Sequence, residues 1–265
     1  MVRSTSAMIF AWGRVLVACS MLVMAVSPAV AGNEEAIAKV KASIVAIGTY
    51  QPSRNPAFSF SGTGFAVGDG TLVATNAHVI PGALDVERRE NVVVAIPNYS
   101  GGQSAVLQAQ LVAIDRETDL ALLSIQGRTL PALQLATGTP LREGQNLLFT
   151  GYPIGAVLGL IPATHRGMVA ALTPIAIPRA RAGELDAATI KRLSAATPFT
   201  VIQLDGTAYP GNSGSPLYDE NGVVVGIINM VFVKGSRENA ITNPSGISYA
   251  IPVQALTELI ANRKR

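Results

Sequence analysis

Three short stretches carry side chains that could do chemistry together: Thr75-Asn76-Ala77-His78-Val79, Asp115-Arg116-Glu117-Thr118-Asp119-Leu120-Ala121-Leu122-Leu123, and Pro210-Gly211-Asn212-Ser213-Gly214-Ser215-Pro216-Leu217. Each alone has an ordinary explanation. A histidine closing an apolar strand is usually structural, an aspartate before a strand is usually a turn residue, and a glycine-rich serine loop is usually a hairpin. Together they supply histidine, aspartate and serine, in that chain order. A serine hydroxyl is a poor nucleophile at neutral pH. It needs a base within hydrogen-bond reach, and the base needs a group that fixes its tautomer and stabilises its charged form. The serine loop adds a further element. The small residues of Gly211-Asn212-Ser213-Gly214 allow a sharp turn that can aim the N–H groups of Gly211 and Ser213 at one point, where they would stabilise the oxyanion of a tetrahedral intermediate. Pro210 pre-sets that turn. The chemistry these residues suit is acyl transfer through a serine nucleophile.

The three motifs, in this order, resemble those of the trypsin-like serine endopeptidases, most closely the protease domain of the HtrA/Deg group. That group reads Gly-Ser-Gly-Phe and then Thr-Asn-Ala-His-Val, where this chain has Gly62-Thr63-Gly64-Phe65 and Thr75 to Val79. Its Asp-x-x-Thr-Asp-Leu-Ala-Leu-Leu corresponds to Asp115 to Leu123, and its serine motif to Gln203 to Leu217. The late stretch Ser245 to Pro252 resembles its Gly-Phe-Ala-Ile-Pro. The resemblance runs from about Ile37 to the C-terminus. It implies an all-β fold of two six-stranded antiparallel barrels with a C-terminal helix and a site in the cleft between the barrels. It also implies His78 as general base, Asp119 as its orienter and Ser213 as nucleophile. The organisation expected is a signal peptide over residues 1–31, an N-terminal barrel over 32–130 and a C-terminal barrel with its helix over 131–265, with no PDZ domain after that helix.

The departures from the family bear on specificity. Ser215 stands where the group has a second glycine. The form Gly-Asn-Ser-Gly-Ser-Pro also occurs in glutamyl endopeptidase relatives, but those carry a histidine in the pocket strand. Here that strand reads Gly226-Ile227-Ile228-Asn229-Met230, which argues against glutamate specificity. In trypsin the pocket-floor aspartate lies six residues before the nucleophile; that position is Thr207 here, so a Lys/Arg preference has no counter-ion. The residues assigned to the substrate pocket are Thr207, Ile228, Asn229 and Met230, with a small or aliphatic P1 side chain expected.

The segments that must position these residues read mostly as short strands between Gly, Pro, Asn and Ser turns. Two groups of six are expected. The first comprises 44–50, 59–67, 71–75, 91–96, 105–114 and 120–125; the second comprises 146–151, 164–172, 199–204, 215–218, 223–231 and 246–250. Residues 127–145 join the groups. A short helix is expected from Asn33, with Ile37 and Val40 facing inward. A second is expected over 252–263, with Val253, Leu256, Leu259 and Ile260 at helical spacing, packing on the second β unit. A third helical stretch, 184–195, lies in an insertion over 173–198, which is read as a solvated flap. Gly62-x-Gly64 with Gly68-x-Gly70 lacks a P-loop lysine and a following helix, so it is read as turns. His165, the only other histidine, is read as a structural strand residue.

Composition narrows the function classes. The chain has 265 residues, 49% apolar and 14% charged, which excludes disorder and permits a sizeable core. An apolar run from Val15 to Val26 ends in Pro28-Ala29-Val30-Ala31, and the small residues Ala29 and Ala31 suit a signal peptidase. Export to the periplasm or the medium is therefore expected, with a mature N-terminus at Gly32. Rival readings are a membrane anchor, for which the run is short, and a lipoprotein acylated at Cys19. Losing residues 1–31 removes Arg3 and Arg14, so the formal charge falls from +3 to +1. That leaves no electrostatic basis for nucleic-acid binding or stable membrane association. Cys19 is the only cysteine and leaves with this segment. Neither a metal site nor a cofactor is expected, and the expected partners are protein or peptide substrates. The competing function is a catalytically silent trypsin-like fold used for binding or regulation.

Overall fold

The computed structural model describes residues 33–97, 104–138, 140–155, 159–175, 199–229 and 246–263. The expected signal segment 1–31, the expected helical stretch 184–195, Met230 and Val231 lie outside the described residues. Helix α1 (Asn33–Lys41) leads into β1 (Ile44–Tyr50), β2 (Phe58–Val67), β3 (Leu72–Asn76), β4 (Asn91–Ile96), β5 (Ala105–Asp115) and β6 (Leu120–Ile125). These close into an antiparallel barrel in the order β1-β2-β3-β6-β5-β4. A second set follows: β7 (Asn146–Gly151), β8 (Ala163–Ile175), β9 (Phe199–Asp205), β10 (Pro216–Tyr218), β11 (Val224–Asn229) and β12 (Ile247–Pro252). They close in the order β10-β11-β12-β9-β8-β7, and α2 (Val253–Asn262) follows directly from β12.

Alternation along the strands divides the core into three. Because successive side chains point to opposite faces, Val45, Ile47, Ala66, Val73, Val94 and Leu123 fill the first barrel. Leu147, Phe149, Val169, Ile202, Leu204, Leu217 and Ile228 fill the second. The opposite faces of several of these strands are also apolar. Ile44, Ala46, Phe65, Ala74, Leu120 and Leu122 of the first barrel meet Leu148, Tyr152, Tyr218, Val224, Ile227 and Ile251 of the second in one shared cluster. Strands buried on both faces read as continuous apolar runs, which is why β1 and β6 are apolar nearly throughout.

The strand limits follow the sequence expectation closely. One expectation needs correction. Helix α2 was assigned to the second barrel, yet besides β11 and β12 it packs on β5 and β6 of the first. Its buried residues Val253 and Leu256 belong to the shared cluster, where Ala36 and Val40 of α1 also lie. The helical spacing fixes which face of α2 is apolar, but not which barrel receives that face.

Candidate active site

The pairing of β3 with β6 ends with Asn76 opposite Leu120. The chain just beyond β3 therefore runs beside the chain just before β6, which brings His78 to Asp119. His78 sits in a single 3-10 turn, Ala77–Val79. On the other side, β5 carries a bulge against β6 between Leu111 and Ala113, a device that bends and re-aims a strand pair. In the turn that follows, Asp115 Oδ1 accepts from the N–H groups of Glu117 (2.8 Å) and Thr118 (3.4 Å), and its Oδ2 accepts from Thr118 Oγ1 (2.8 Å). Asp115 is thus committed to its own turn, and Asp119 is the aspartate that faces the histidine.

Asp119 lies in the left-handed region at φ 56°, where aspartate is better tolerated than most non-glycine residues. Its carbonyl accepts from Ala77 N–H (3.0 Å) and Asn76 Nδ2 (3.1 Å). Its Oδ1 accepts from the His78 backbone N–H at 2.9 Å, and its Oδ2 lies 2.6 Å from His78 Nδ1. A carboxylate can only accept, so the proton sits on Nδ1, and in the neutral ring Nε2 carries the free lone pair. Asn229 Nδ2 adds a third bond to the carboxylate, donating to Oδ2 at 2.8 Å.

Ser213 lies in the loop between β9 and β10. Four consecutive carbonyls of this loop are engaged. That of Pro210 accepts from Ile154 N–H (2.7 Å), Gly211 from Thr63 Oγ1 (2.7 Å), Asn212 from Ser215 N–H (3.0 Å) and Ser213 from Thr63 N–H (2.9 Å). Gly214 N–H donates to the Ile228 carbonyl at 3.0 Å. The N–H groups of Gly211 and Ser213 have no acceptor among the described residues, the state required of oxyanion donors. Gly211 (φ 102°) and Gly214 (φ 85°) are left-handed, and a Cβ at either would collide with a carbonyl, that of Tyr152 or of Thr63. Gly62 lets β2 approach both sides of the cleft, since a Cβ there would lie 2.7 Å from Val79 and 3.1 Å from the Ser213 carbonyl. Among the described residues no hydrogen bond joins Ser213 Oγ to the His78 ring. Catalytic contacts in unliganded sites are often long and tighten with substrate.

Beneath the nucleophile, the Asn212 amide and Ser215 Oγ are buried without a hydrogen-bond partner among the described residues. Gly151 makes room for Ser215: a Cβ at 151 would collide with its hydroxyl. His165 lies on β8, away from any carboxylate contact. It stacks on Phe149 at 5.1 Å, tilts against Tyr209 at 5.9 Å, and has a buried, unpartnered Nε2. Burial pushes its pKa below the ordinary histidine value.

The residues assigned to the pocket are dispersed. Thr207 is half-buried in a segment fixed by Ser248, whose Oγ donates to the Gly206 carbonyl (2.6 Å) and accepts from Ala208 N–H (2.7 Å). Ile228 is a core residue of the second barrel. The Asn229 side chain is buried and directed at Asp119. Met230 lies outside the described residues. Thr63, Ile154 and the role of Asn229 were missed from sequence, because each depends on contacts between residues far apart in the chain.

Two closed six-stranded barrels, with a histidine–aspartate pair on the first and a glycine-flanked serine loop on the second, define a trypsin-like protease fold. Residues 62–227 match the trypsin-like peptidase domain family, and the chain belongs to it. It is 29% identical over 204 residues to a protein of Pseudomonas putida (strain W619) named "Probable periplasmic serine endoprotease DegP-like", covering 77% of this chain and 35% of that one. The structure is similar to an HtrA-type protease, AlgW, solved with a tripeptide (TM-score 0.60, 28% identity, 86% of this chain, 62% of that one). It is also similar to Deg5 (TM-score 0.60, 25% identity, 85% of this chain, 90% of that one). The chain spans about a third of the length of the DegP-like relative.

Proposed function

We propose that the protein is an exported serine endopeptidase that hydrolyses peptide bonds through an acyl-enzyme on Ser213. The observation that carries this reading is the pairing of His78 Nδ1 with Asp119 Oδ2 at 2.6 Å, on the barrel that faces a serine loop with two unengaged N–H donors. Ser213 Oγ attacks the scissile carbonyl carbon while His78 Nε2 takes the hydroxyl proton. The developing oxyanion accepts from the N–H groups of Gly211 and Ser213. His78 then returns the proton to the leaving amine, and water enters by the same general-base route to release the acyl group. Asp119 holds the ring in the tautomer that leaves Nε2 basic and stabilises the imidazolium.

Relatives named as periplasmic serine endoproteases support the compartment, together with the signal-like segment 1–31. Because Thr207 stands where trypsin has its pocket-floor aspartate, no counter-ion favours Lys or Arg, and the substrate class is a polypeptide cleaved after a small or aliphatic residue. Incubation with denatured casein tests the reaction: the wild-type chain is expected to release peptides, Ser213→Ala and His78→Ala to release none, and Asp119→Asn to keep a trace. The loss expected for Asp119→Asn is about 10⁴-fold, as for the corresponding change in the archetypal triad. Undiminished cleavage by Ser213→Ala would reject the assignment.

A further inference from the structure

We propose that Thr63, a residue of the first barrel, is the positioning residue that sets the oxyanion hole of the second. The inference rests on the serine-peptidase reading above and adds to it a group that never touches substrate. Thr63 is fully buried on β2, paired across the ladder with Ala46 of β1. Its backbone N–H donates to the Ser213 carbonyl at 2.9 Å, and its carbonyl accepts from Thr75 Oγ1 at 2.7 Å. Its side chain makes two more bonds: Oγ1 accepts from Tyr152 N–H at 3.1 Å and donates to the Gly211 carbonyl at 2.7 Å. The direction of these bonds is fixed. A backbone N–H can only donate and a carbonyl can only accept, so the single hydroxyl proton of Thr63 must point at Gly211.

That proton decides how the loop faces the cleft. With the Gly211 carbonyl tied to Thr63 and the Pro210 carbonyl tied to Ile154 N–H, the peptides on both sides of Gly211 are held in one rotation. Held so, the Gly211 N–H stays free of protein acceptors. The second tie is itself strained: Ile154 sits at φ 50°, a region that β-branched residues rarely adopt. Tyr152, whose N–H bonds Thr63, lies two residues before Ile154. A single hydroxyl therefore links the loop that carries Ile154 to the loop that carries Ser213. Without it, the partly buried Gly211 carbonyl loses its donor, a costly state. Rotation of the Gly211 peptides relieves that cost and takes an N–H donor off the oxyanion. The expected signature is a fall in kcat with KM nearly unchanged, because Thr63 stabilises only the transition state.

The test compares Thr63→Val, which keeps the shape and removes the hydroxyl, with Thr63→Ser, which keeps the hydroxyl. Both are assayed on the full exported chain with a chromogenic peptide bearing a small aliphatic P1 residue. A peptide aldehyde, whose hemiacetal oxygen occupies the hole, is the second probe. Thr63→Val is expected to lose about 10- to 100-fold in kcat and in aldehyde affinity, bounded by the loss of one oxyanion donor. Thr63→Ser is expected to recover wild-type kcat. Equal kcat in wild type and Thr63→Val, a loss expressed only in KM, or a Thr63→Ser protein as impaired as Thr63→Val would overturn the proposal. If circular dichroism shows that the valine variant does not fold, Thr63→Ala carries the same comparison, with a lowered kcat expected and an unchanged kcat overturning it. Absence of Ser213-dependent turnover in the wild type would instead reject the peptidase reading itself.

Discussion

Asp119 is gripped along both its backbone and its side chain. Two donors from Asn76 and Ala77 hold its carbonyl, two from His78 meet its carboxylate, and one comes from Asn229 across the cleft. Replacing Asn229 by leucine keeps the volume and removes the donor. A hydrogen bond to a charged group contributes about 1.5–3 kcal/mol, so kcat/KM is expected to fall roughly tenfold or more in steady-state assays. Unchanged kcat/KM would place Asn229 outside the catalytic arrangement. At this scale the sequence made the histidine, the aspartate and the serine legible, because each sits in a motif whose residue types are dictated by its chemistry. It did not reveal the bond from Asn229 to Asp119, for a definite reason. On β11, Ile227 points into the shared cluster and Ile228 into the second barrel. The next position, Asn229, returns to the side of the first barrel, where Asp119 stands. Only the strand register decides between pocket wall and aspartate partner.

The elements owe their placement to ties of a different kind. The turn after β1 and the segment before β4 are joined by Glu90. Its Oε1 accepts from Thr49 Oγ1 (2.6 Å) and Arg54 Nη1 (2.8 Å), and its Oε2 from Asp85 N–H (3.1 Å). Arg54 also donates to the carbonyls of Thr49 and Ala57. The Thr49 hydroxyl, the Asp85 amide and the Arg54 guanidinium hold the Glu90 pKa down to about 2, from an ordinary value of 4.5. Between those values the unfolded chain binds the proton and the folded chain does not. The stabilisation is therefore complete above about pH 4.5 and is lost as pH falls toward 2. Glu90→Gln is expected to melt below wild type at pH 7, with the difference shrinking steadily below pH 4.5 in thermal scans followed by circular dichroism. A gap that does not change with pH would contradict this. None of it was legible from sequence: Thr49, Arg54 and Glu90 are ordinary surface residue types whose meeting depends on the closure of β4 onto β1.

On the scale of the whole molecule, the proposed chemistry is divided between the two barrels. The first supplies His78 and Asp119; the second supplies Ser213 and the donors of its loop. The order of the motifs along the chain matches the order of the barrels that carry them. It could not foretell how the halves are fastened. The shared cluster, with Phe65, Leu120, Tyr152, Tyr218 and Leu256 fully buried, and the polar clasp from Thr63 to Gly211 and Ser213 are contacts between residues far apart in sequence. Helix α2 belongs to the same fastening, since it rests on strands of both barrels.

In the proposed mechanism these halves together make Ser213 a nucleophile activated by His78. Labelling of the chain with a fluorophosphonate, followed by peptide mapping in a mass spectrometer, tests this. One adduct is expected, on Ser213, absent from Ser213→Ala and His78→Ala and retained by His165→Gln. A wild-type chain that takes up no probe, takes it up on another residue, or labels equally well as His78→Ala would contradict the account.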